Sequence, residues 1–319
     1  MVASCMNEIF HQHIPVLLNE AIAGLITSRD GIYVDATFGR GSHTSAILDV
    51  LNAQGQLIAF DKDPEAVSYG KQHFSQDKRF TIVHSSFARM HVVLNELNLI
   101  GKIQGVLFDL GVSSPQLDNP ARGFSFVREG KLDMRMDTTQ GMDARHWLSQ
   151  VDEESLATVL WEYGEEKYSR RIARAIVAAR NEQPIATTTQ LADIIQSVIP
   201  RSKKPHEKHP ATRSFQAIRI AVNQELTELQ QGLAQTLEVI TPGGRLAVIS
   251  FHSLEDRIVK QFIRHHEKGQ EIPRGLPIKS SHFQSRLKAI GKPIKPSLQE
   301  MTFNQRARSA ILRVAEKLS

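Results

Sequence analysis

Three carboxylates each close a short apolar run: Asp35 after Ile32-Tyr33-Val34, Asp61 after Leu57 to Phe60, and Asp109 after Gly105 to Phe108. An acid at the end of a β-type run, followed by a turn, is where an α/β protein places groups that touch a ligand. Between the first two lies Gly39-Arg40-Gly41-Ser42-His43-Thr44. Glycines there let backbone approach a ligand closely, and a helix opening at Ser42 offers it free N–H groups. Asp61, about 20 residues beyond the glycines, is placed to accept both hydroxyls of a ribose. Strand, glycine turn, helix and acid-tipped strand form the pattern of a nucleotide-cradling βαβ unit. The third small residue of the dinucleotide fingerprint is here Thr44, which counts against a dehydrogenase. It counts less against S-adenosylmethionine (AdoMet), which has a ribose but no pyrophosphate; Asp35 would then face the ammonium or sulfonium charge. On this stretch alone an NAD-linked oxidoreductase stays open.

Basic residues are the second chemical signal. In a helix near 165–181, Lys167, Arg170, Arg171 and Arg174 recur at i, i+3, i+4 and i+7, one cationic face. Arg201, Lys203, Lys204, Lys208 and Arg213 follow with only Glu207 opposing them, and Lys268 to Lys295 adds a third basic stretch. Each could be a solvated surface, but together they point to a phosphate backbone, since sequence-independent affinity comes from Lys and Arg on phosphates. Phe124, Phe126 and Trp147 would either stack on an unpaired base or belong to a core. A non-catalytic RNA-binding or assembly factor would keep the basic clusters without a cofactor pocket. His11/His13 and His206/His209 have metal-compatible spacing but no third ligand, so no metal is expected. Ser250, His252 and Asp256 lack the Gly-x-Ser-x-Gly elbow of a hydrolase.

These groups must be held by a sizeable fold. The chain has 319 residues, 41% hydrophobic and 23% charged, the balance of a soluble globular protein long enough for one large or two ordinary domains. No run of about 18 apolar residues exists to span a membrane. Asn7, Glu8, His11 and His13 interrupt any leader-like N-terminus, and Cys5 is the single cysteine, which together suggest a cytoplasmic protein. The net charge of +5 hints at an acidic partner.

Strands and helices alternate at first: strands ending at Asp35, Asp61, His84 and Asp109, helices from about 42 to 53, from Asp63-Pro64-Glu65, and after Ser86. This predicts a doubly wound, mostly parallel sheet with a ligand at the strand C-termini. From Pro115 to Thr212 only turns and helices are read, near 152–163, 165–181 and 187–199. Phe215 to Ile240 then steps by three and four as one long amphipathic helix. Arg245 to Phe251 supplies a fifth strand, Ser253-Leu-Glu-Asp256 has capping-box spacing, 266–300 reads as a mobile basic loop, and Ala310 to Val314 can supply a last strand. The expected fold class is α/β: a Rossmann-like domain in two parts, 1–117 and 213–319, with an inserted helical substrate-recognition domain at 118–212.

The motifs His13-x-Pro-Val-Leu-Leu, Asp35-Ala-Thr-Phe-Gly-Arg-Gly, Asp109-Leu-Gly-Val-Ser-Ser-Pro-Gln116-Leu-Asp, Arg122-Gly-Phe-Ser-Phe, Leu132-Asp-Met-Arg-Met-Asp137, His209-Pro-Ala-Thr-Arg, Pro242-Gly-Gly-Arg-Leu and Ser250-Phe-His-Ser-Leu-Glu-Asp-Arg carry a resemblance along nearly the whole chain. The sequence resembles the bacterial MraW/RsmH family. The resemblance implies a class I AdoMet-dependent methyltransferase fold with a helical insertion, acting on N4 of a cytidine in the decoding centre of 16S rRNA. It implies the small ribosomal subunit as partner, and a homodimer is compatible with it. Methylation of another RNA or DNA amino group is the nearest alternative.

By the same resemblance AdoMet is held by Gly41, Ser42, His43, Asp61, Phe87, Asp109 and Gln116. Ser42 stands where the family usually has Gly, so its backbone should avoid positive φ, and Gln305 replaces a usual Pro. The nitrogen lone pair of a cytosine amino group is conjugated into the ring, so positioning and an acceptor for an N4 hydrogen should matter most. Asp109, or the Ser113-Ser114-Pro115 turn, is the candidate acceptor; Asp109 would otherwise only hold the cofactor. DNA amino-methyltransferases carry an Asp/Asn/Ser-Pro-Pro-aromatic turn there, and this chain has Asp-Leu-Gly-Val. The base must be unstacked to be reached. Asp133, Arg135, Asp137 and His252 are candidates for holding it, while Lys167, Arg170, Arg171 and Arg174 would bind the backbone.

Overall fold

The computed structural model describes residues 15–200, 209–268 and 285–319. In chain order its elements are α1 (Leu18–Leu25), β1 (Ile32–Asp35), α2 (Ser42–Val50), β2 (Gln56–Asp61), α3 (Pro64–Phe74), β3 (Phe80–His84), α4 (Met90–Glu96) and β4 (Ile103–Asp109). Then come α5 (Ser114–Asp118), α6 (Ala144–Gln150), α7 (Glu153–Gly164), α8 (Ser169–Glu182), α9 (Thr188–Val198), α10 (Thr212–Asn223) and α11 (Glu225–Val239). The chain closes with β5 (Ile240–Ser250), α12 (Ser253–Lys268), β6 (Leu287–Ala289), α13 (Leu298–Phe303) and β7 (Ile311–Lys317). It divides into two compact units, residues 1–111 with 228–319, and residues 112–227.

The first unit is built on a seven-stranded sheet of order β3-β2-β1-β4-β5-β7-β6. β1 to β5 run parallel, and β7 is antiparallel to both β5 and β6. Its central strands are apolar without interruption because both faces are covered. Val34, Ile58, Phe60, Val106, Phe108 and Val248 lie in one core with Leu233 and Val259. Their neighbours Tyr33, Leu57, Leu107, Ala247 and Ile249 lie in the other, with Ile47 and Leu312. The strand period of two thus sends adjacent residues to opposite cores. The chain winds outward from β1 through β2 to β3, then returns to β4 on the other side of β1. That reversal is the switch point at which open α/β sheets bind ligands. It puts Asp35, Asp61 and Asp109 at the ends of three adjacent strands.

The second unit is helical, with Leu156, Leu160, Ile172, Ile176, Leu191, Ile195, Phe215 and Ile218 in one core. Leu117 of α5 and the buried residues of α10 belong to that core, which is why the unit begins at Val112 and ends at Thr227 rather than at 118 and 212. Phe124 is buried there, and Phe126 packs against Phe215 with ring centroids 4.6 Å apart. α6 falls where the sequence reads only as turns; its N-cap, Asp143, accepts a hydrogen bond from His146 N.

The single long helix expected from Phe215 to Ile240 is in fact two. It breaks at Gln224, whose φ is 52°, in the left-handed region. Hydrophobic spacing continues across the break, so periodicity alone cannot see it. Polar groups hold it instead: Arg219 grips Glu225 with two hydrogen bonds of 2.8 Å. The buried Asn223 amide accepts from Met136 N (2.7 Å) and donates to Met134 O (2.7 Å). The stretch 266–300 is likewise not a loop throughout. α12 runs to Lys268, and residues 285–300 give β6 and the start of α13, with Glu300 accepting a hydrogen bond from Leu17 N (2.7 Å). Cys5, His11, His13, the basic residues and His206 of 201–208, and the centre of the third basic stretch lie outside the described residues. Among the described residues no helix is long and apolar enough to cross a membrane.

Replacing Asn223 by Ala leaves a buried N–H and a buried carbonyl without partners, at about 1–3 kcal/mol each. Asn223→Ala should therefore lower the urea midpoint of the helical unit by an amount far beyond an ordinary surface substitution, measured by circular dichroism.

Candidate active site

The loop after β1 is folded by the carboxylates themselves. Asp35 Oδ1 accepts from Thr37 N (3.1 Å) and Oδ2 from the Thr44 hydroxyl (2.7 Å). Asp61 Oδ2 accepts from Gly39 N (2.7 Å) and Oδ1 from Asp63 N (2.8 Å). Asp109 N donates to the Thr37 hydroxyl (2.6 Å). The ends of β1, β2 and β4 are thus stitched through one loop. Positive φ falls on Gly39 (55°) and Gly41 (74°), and a Cβ at Gly41 would sit 2.8 Å from the Phe38 and Phe74 rings. Ser42 is the first residue of α2 and has no positive φ, as expected. Its helix points its N-terminal N–H groups out beyond the sheet edge.

Thr44 explains the departure from the dinucleotide fingerprint. It is fully buried and ties α2 to Asp35, a role a glycine there would not fill. Asp35 is consequently fully engaged inside the protein, and the ligand-facing role read for it from the sequence is not where the structure puts it. Its carboxyl is raised above the usual range, first by burial and against the Thr44 hydrogen bond.

Asp61 and Asp109 are the groups left to face a ligand. Burial pushes Asp61 up to about 6, against the two N–H donors that favour its charge. Lys62, next to it, is turned to Glu228 at 2.7 Å and so does not neutralise it. Burial, with the charge of Glu255 added, pushes Asp109 up to about 7. Asp109 keeps 28% of its side-chain surface exposed, its Oδ2 lies 3.4 Å from His43 Nδ1, and its Oδ1 has no hydrogen-bond partner. His43 is almost wholly buried, its Nε2 has no aligned hydrogen bond, and burial lowers its pKa against the charge of Asp35. Two unpartnered polar atoms beside clustered acids suit a cationic, hydrogen-bonding ligand, since a positive charge would favour the ionised carboxylates. AdoMet, with its ammonium, sulfonium and ribose diol, fits that donor set.

Phe87 follows β3 in a single helical turn and packs edge-on against Phe108, with centroids 5.2 Å apart. Gly232 of α11 makes room for it; a Cβ there would come within 2.7 Å of the ring. At the end of β5, Glu255 is 2% exposed and its Oε2 accepts from Phe251 N (2.8 Å) and His252 N (3.3 Å). The reaching-back acid that caps α12 is therefore Glu255, one position earlier than the Ser253/Asp256 spacing predicts. Asp256 instead makes two hydrogen bonds to Arg313, of 2.7 and 3.0 Å. His252 Nε2 lies 3.1 Å from Glu255 Oε1, and both of its ring nitrogens lack an aligned hydrogen bond. Glu255, Thr44 and Gly232 were missed by sequence reasoning because each acts through a contact, not a spacing.

Other predicted residues belong to the helical unit. Gln116 is buried and its Oε1 accepts from Ser113 N (2.9 Å), capping α5 across the Ser113-Ser114-Pro115 turn. Asp133 and Arg135 pair with each other at 2.8 and 2.9 Å. Asp137 accepts from Thr139 N, the Thr139 hydroxyl and Gln140 Nε2 in one local turn. Lys167, Arg170, Arg171 and Arg174 are all exposed, Arg174 lying 3.5 Å from Glu153. Trp147 is half-buried, whereas Trp161 on α7 is 59% and Tyr168 is 40% exposed. Those two exposed rings, Tyr168 next to Lys167 in the chain, are the aromatics that sequence reasoning overlooked. No group of three His, Cys, Asp or Glu among the described residues could hold a metal ion.

The chain matches, over residues 10–318, the family model described as the MraW methylase family. It is 55% identical over 308 residues to the ribosomal RNA small subunit methyltransferase H of Pseudoalteromonas atlantica, covering 96% of this chain and 98% of that one. It is 53% identical over 308 residues to the protein of the same name from Legionella pneumophila strain Paris, covering 97% and 99%. An rRNA methylase structure from Streptococcus thermophilus aligns with 95% of this chain and 94% of its own, with a TM-score of 0.41 and 14% identity.

A ribose diol donates to a charged carboxylate, so affinity for AdoMet should fall as pH drops through about 6, where Asp61 takes up its proton. The loss approaches about tenfold per pH unit below that point. Calorimetric titration with AdoMet from pH 8 to pH 5 measures it. Asp61→Ala should abolish binding at every pH.

Proposed function

We propose, from the premise that this chain belongs to the MraW methylase family, that it transfers a methyl group from AdoMet to 16S rRNA of the small ribosomal subunit. The observation that carries this reading is the set of acid-tipped strand ends at the switch point of the sheet, in a chain more than half identical along almost its whole length to a named small-subunit rRNA methyltransferase. The fold is that of the class I AdoMet-dependent methyltransferases, with the helical unit as its insertion. The finer assignment, exocyclic N4 of a cytidine in the decoding centre, follows from the family resemblance, as does a cytoplasmic site of action.

Within the first unit, Gly41, Ser42 and His43 would hold the methionine part of AdoMet, Asp61 the ribose diol, and Phe87 the adenine. Bound AdoMet supplies an electrophilic methyl group on a cationic sulfur. The chain's task is then to align a weak nucleophile with that carbon and to keep water out, which is chiefly a matter of positioning. Asp109 serves as countercharge to the ligand cation and as acceptor for an amino hydrogen of the target base, which would raise the basicity of its nitrogen. His43, its Nδ1 3.4 Å away, flanks that carboxylate.

The helical unit supplies the substrate-recognition surface. Lys167, Arg170 and Arg171 leave their charges in solvent, the condition for neutralising phosphates. Trp161 and Tyr168 offer exposed ring faces on which an unpaired base can stack.

The direct test is mass spectrometry of nucleosides from 16S rRNA and from small subunits treated with the protein and labelled AdoMet. N4-methylcytidine at one position is the expected product; label on no nucleoside would overturn the reading. Replacing Arg170, Arg171 and Arg174 by Ala should weaken rRNA binding and flatten its dependence on salt, by up to about 0.7–0.9 in the log–log slope for each phosphate that the variant no longer neutralises. Filter binding across a salt series measures both.

A further inference from the structure

We propose that His252, backed by Glu255, is the base that receives the proton released by the methylated amino group. The proposal rests on the methyltransferase reading above and gives that reaction's proton a destination.

His252 is the first residue beyond Phe251 after β5, and its carbonyl accepts from Asp256 N (3.2 Å) as α12 begins. The carboxylate of Glu255 is buried and held by the N–H groups of Phe251 and His252, so it cannot turn away. Its other oxygen lies 3.1 Å from His252 Nε2, out of line for a hydrogen bond. A fixed carboxylate behind one imidazole nitrogen sets the ring's orientation and stabilises the imidazolium formed when the opposite nitrogen takes a proton. Such contacts are commonly loose until substrate is bound. Here the opposite nitrogen, Nδ1, is buried with no partner, and Ser250 Oγ beside it in the chain is in the same condition.

The strand order carries this pair to the methyl-transfer site. β5 lies next to β4, Leu110 N donates to Ile249 O (3.0 Å), and a Cβ at Gly111 would meet only the Phe251 ring, at 3.9 Å. Residues 250–252 therefore leave the sheet alongside Asp109. Glu255 is close enough to Asp109 for its charge to raise that carboxyl. Among the described residues, Glu255 faces His252 and Asp256 follows on the same helix, its charge taken up by Arg313 of β7.

The step balances without another reactant. The amino nitrogen's lone pair forms the N–C bond while the C–S bond breaks and its electrons go to sulfur. The nitrogen, now cationic, gives its proton to His252 Nδ1. Asp109 stays ionised throughout and continues to face the ligand's charge.

The test uses the full chain with His252→Gln and Glu255→Gln. The amide introduced by Glu255→Gln retains a carbonyl for the two backbone donors, so the cap survives, and thermal melts check it. In the protein without RNA, NMR of the labelled imidazole should show the His252 ring-nitrogen signals moving in Glu255→Gln, as the ring loses the carboxylate behind Nε2. In single-turnover methylation of small subunits, His252→Gln should lower the rate by about 10²–10⁴ with AdoMet affinity unchanged, and should lose the rise in rate with pH expected of the wild type. A His252→Gln rate like the wild type's, the same pH limb in the variant, or unmoved ring signals in Glu255→Gln would each overturn the proposal. Absence of any methyl transfer by the wild type would overturn the reading beneath it, while the ring signals still report on the pair.

Discussion

Confined negative charge is the constraint on which the rest of the first unit depends. Asp35, Asp61, Asp109 and Glu255 all sit near the C-terminal edge of one sheet, where water is scarce and the charged form of a carboxylate is disfavoured. Asp35 is satisfied by Thr37 and Thr44, Asp61 by Gly39 and Asp63, and Glu255 by Phe251 and His252. Each of these donors also fixes a piece of loop. The glycine turn, the start of α3 and the start of α12 thus take their shapes from the acids they surround. Of the four, Asp109 alone keeps an oxygen without a partner, and strand order sets it between Asp35 and the Glu255 corner.

The two units also differ in how they are built. The sheet has cores on both faces that are complete within the first unit, and the helical unit has a core of its own. A ligand pocket on strand ends needs that rigidity, because transfer between two aligned atoms tolerates little error in position. A surface that reads a nucleic-acid backbone has other needs: solvated charges and exposed rings, with packing only behind them. α8 meets both, with Ile172, Ala173 and Ile176 buried and Arg170, Arg171 and Arg174 outside.

The parts legible in the sequence were those written in local rules. Three acid-ended apolar runs located β1, β2 and β4, and Asp63-Pro64 located the start of α3, where Asp63 does accept from Glu65 N. The basic spacing of α8 was legible because a helix face repeats every three to four residues. What stayed hidden depended on contacts between distant positions. The break at Gln224 is made by Asn223 reaching Met134 and Met136, and hydrophobic spacing carries no trace of it. Phe124 and Phe126 offered a base-stacking reading beside the core one, and the fold places both in the core, Phe126 against Phe215. Thr44 looked like a defect in a glycine motif because its partner, Asp35, lies on another element.

Linkage turns the same electrostatics into an argument about the ligand. Burial raises Asp61 to about 6 and Asp109 to about 7, so the folded protein holds protons that the unfolded chain, with carboxyls near 3.8, has already released. A raised carboxyl means that stability falls as pH climbs from the unfolded value through the folded one, so the loss runs from near pH 3.8 and is complete only once the pH has passed the folded values. The protein without ligand is therefore under electrostatic tension at working pH, at the residues that face the cleft. A cationic ligand seated against them would lower both carboxyls again, releasing whatever protons they still hold, and would offset part of that loss. A neutral ligand of the same shape would not.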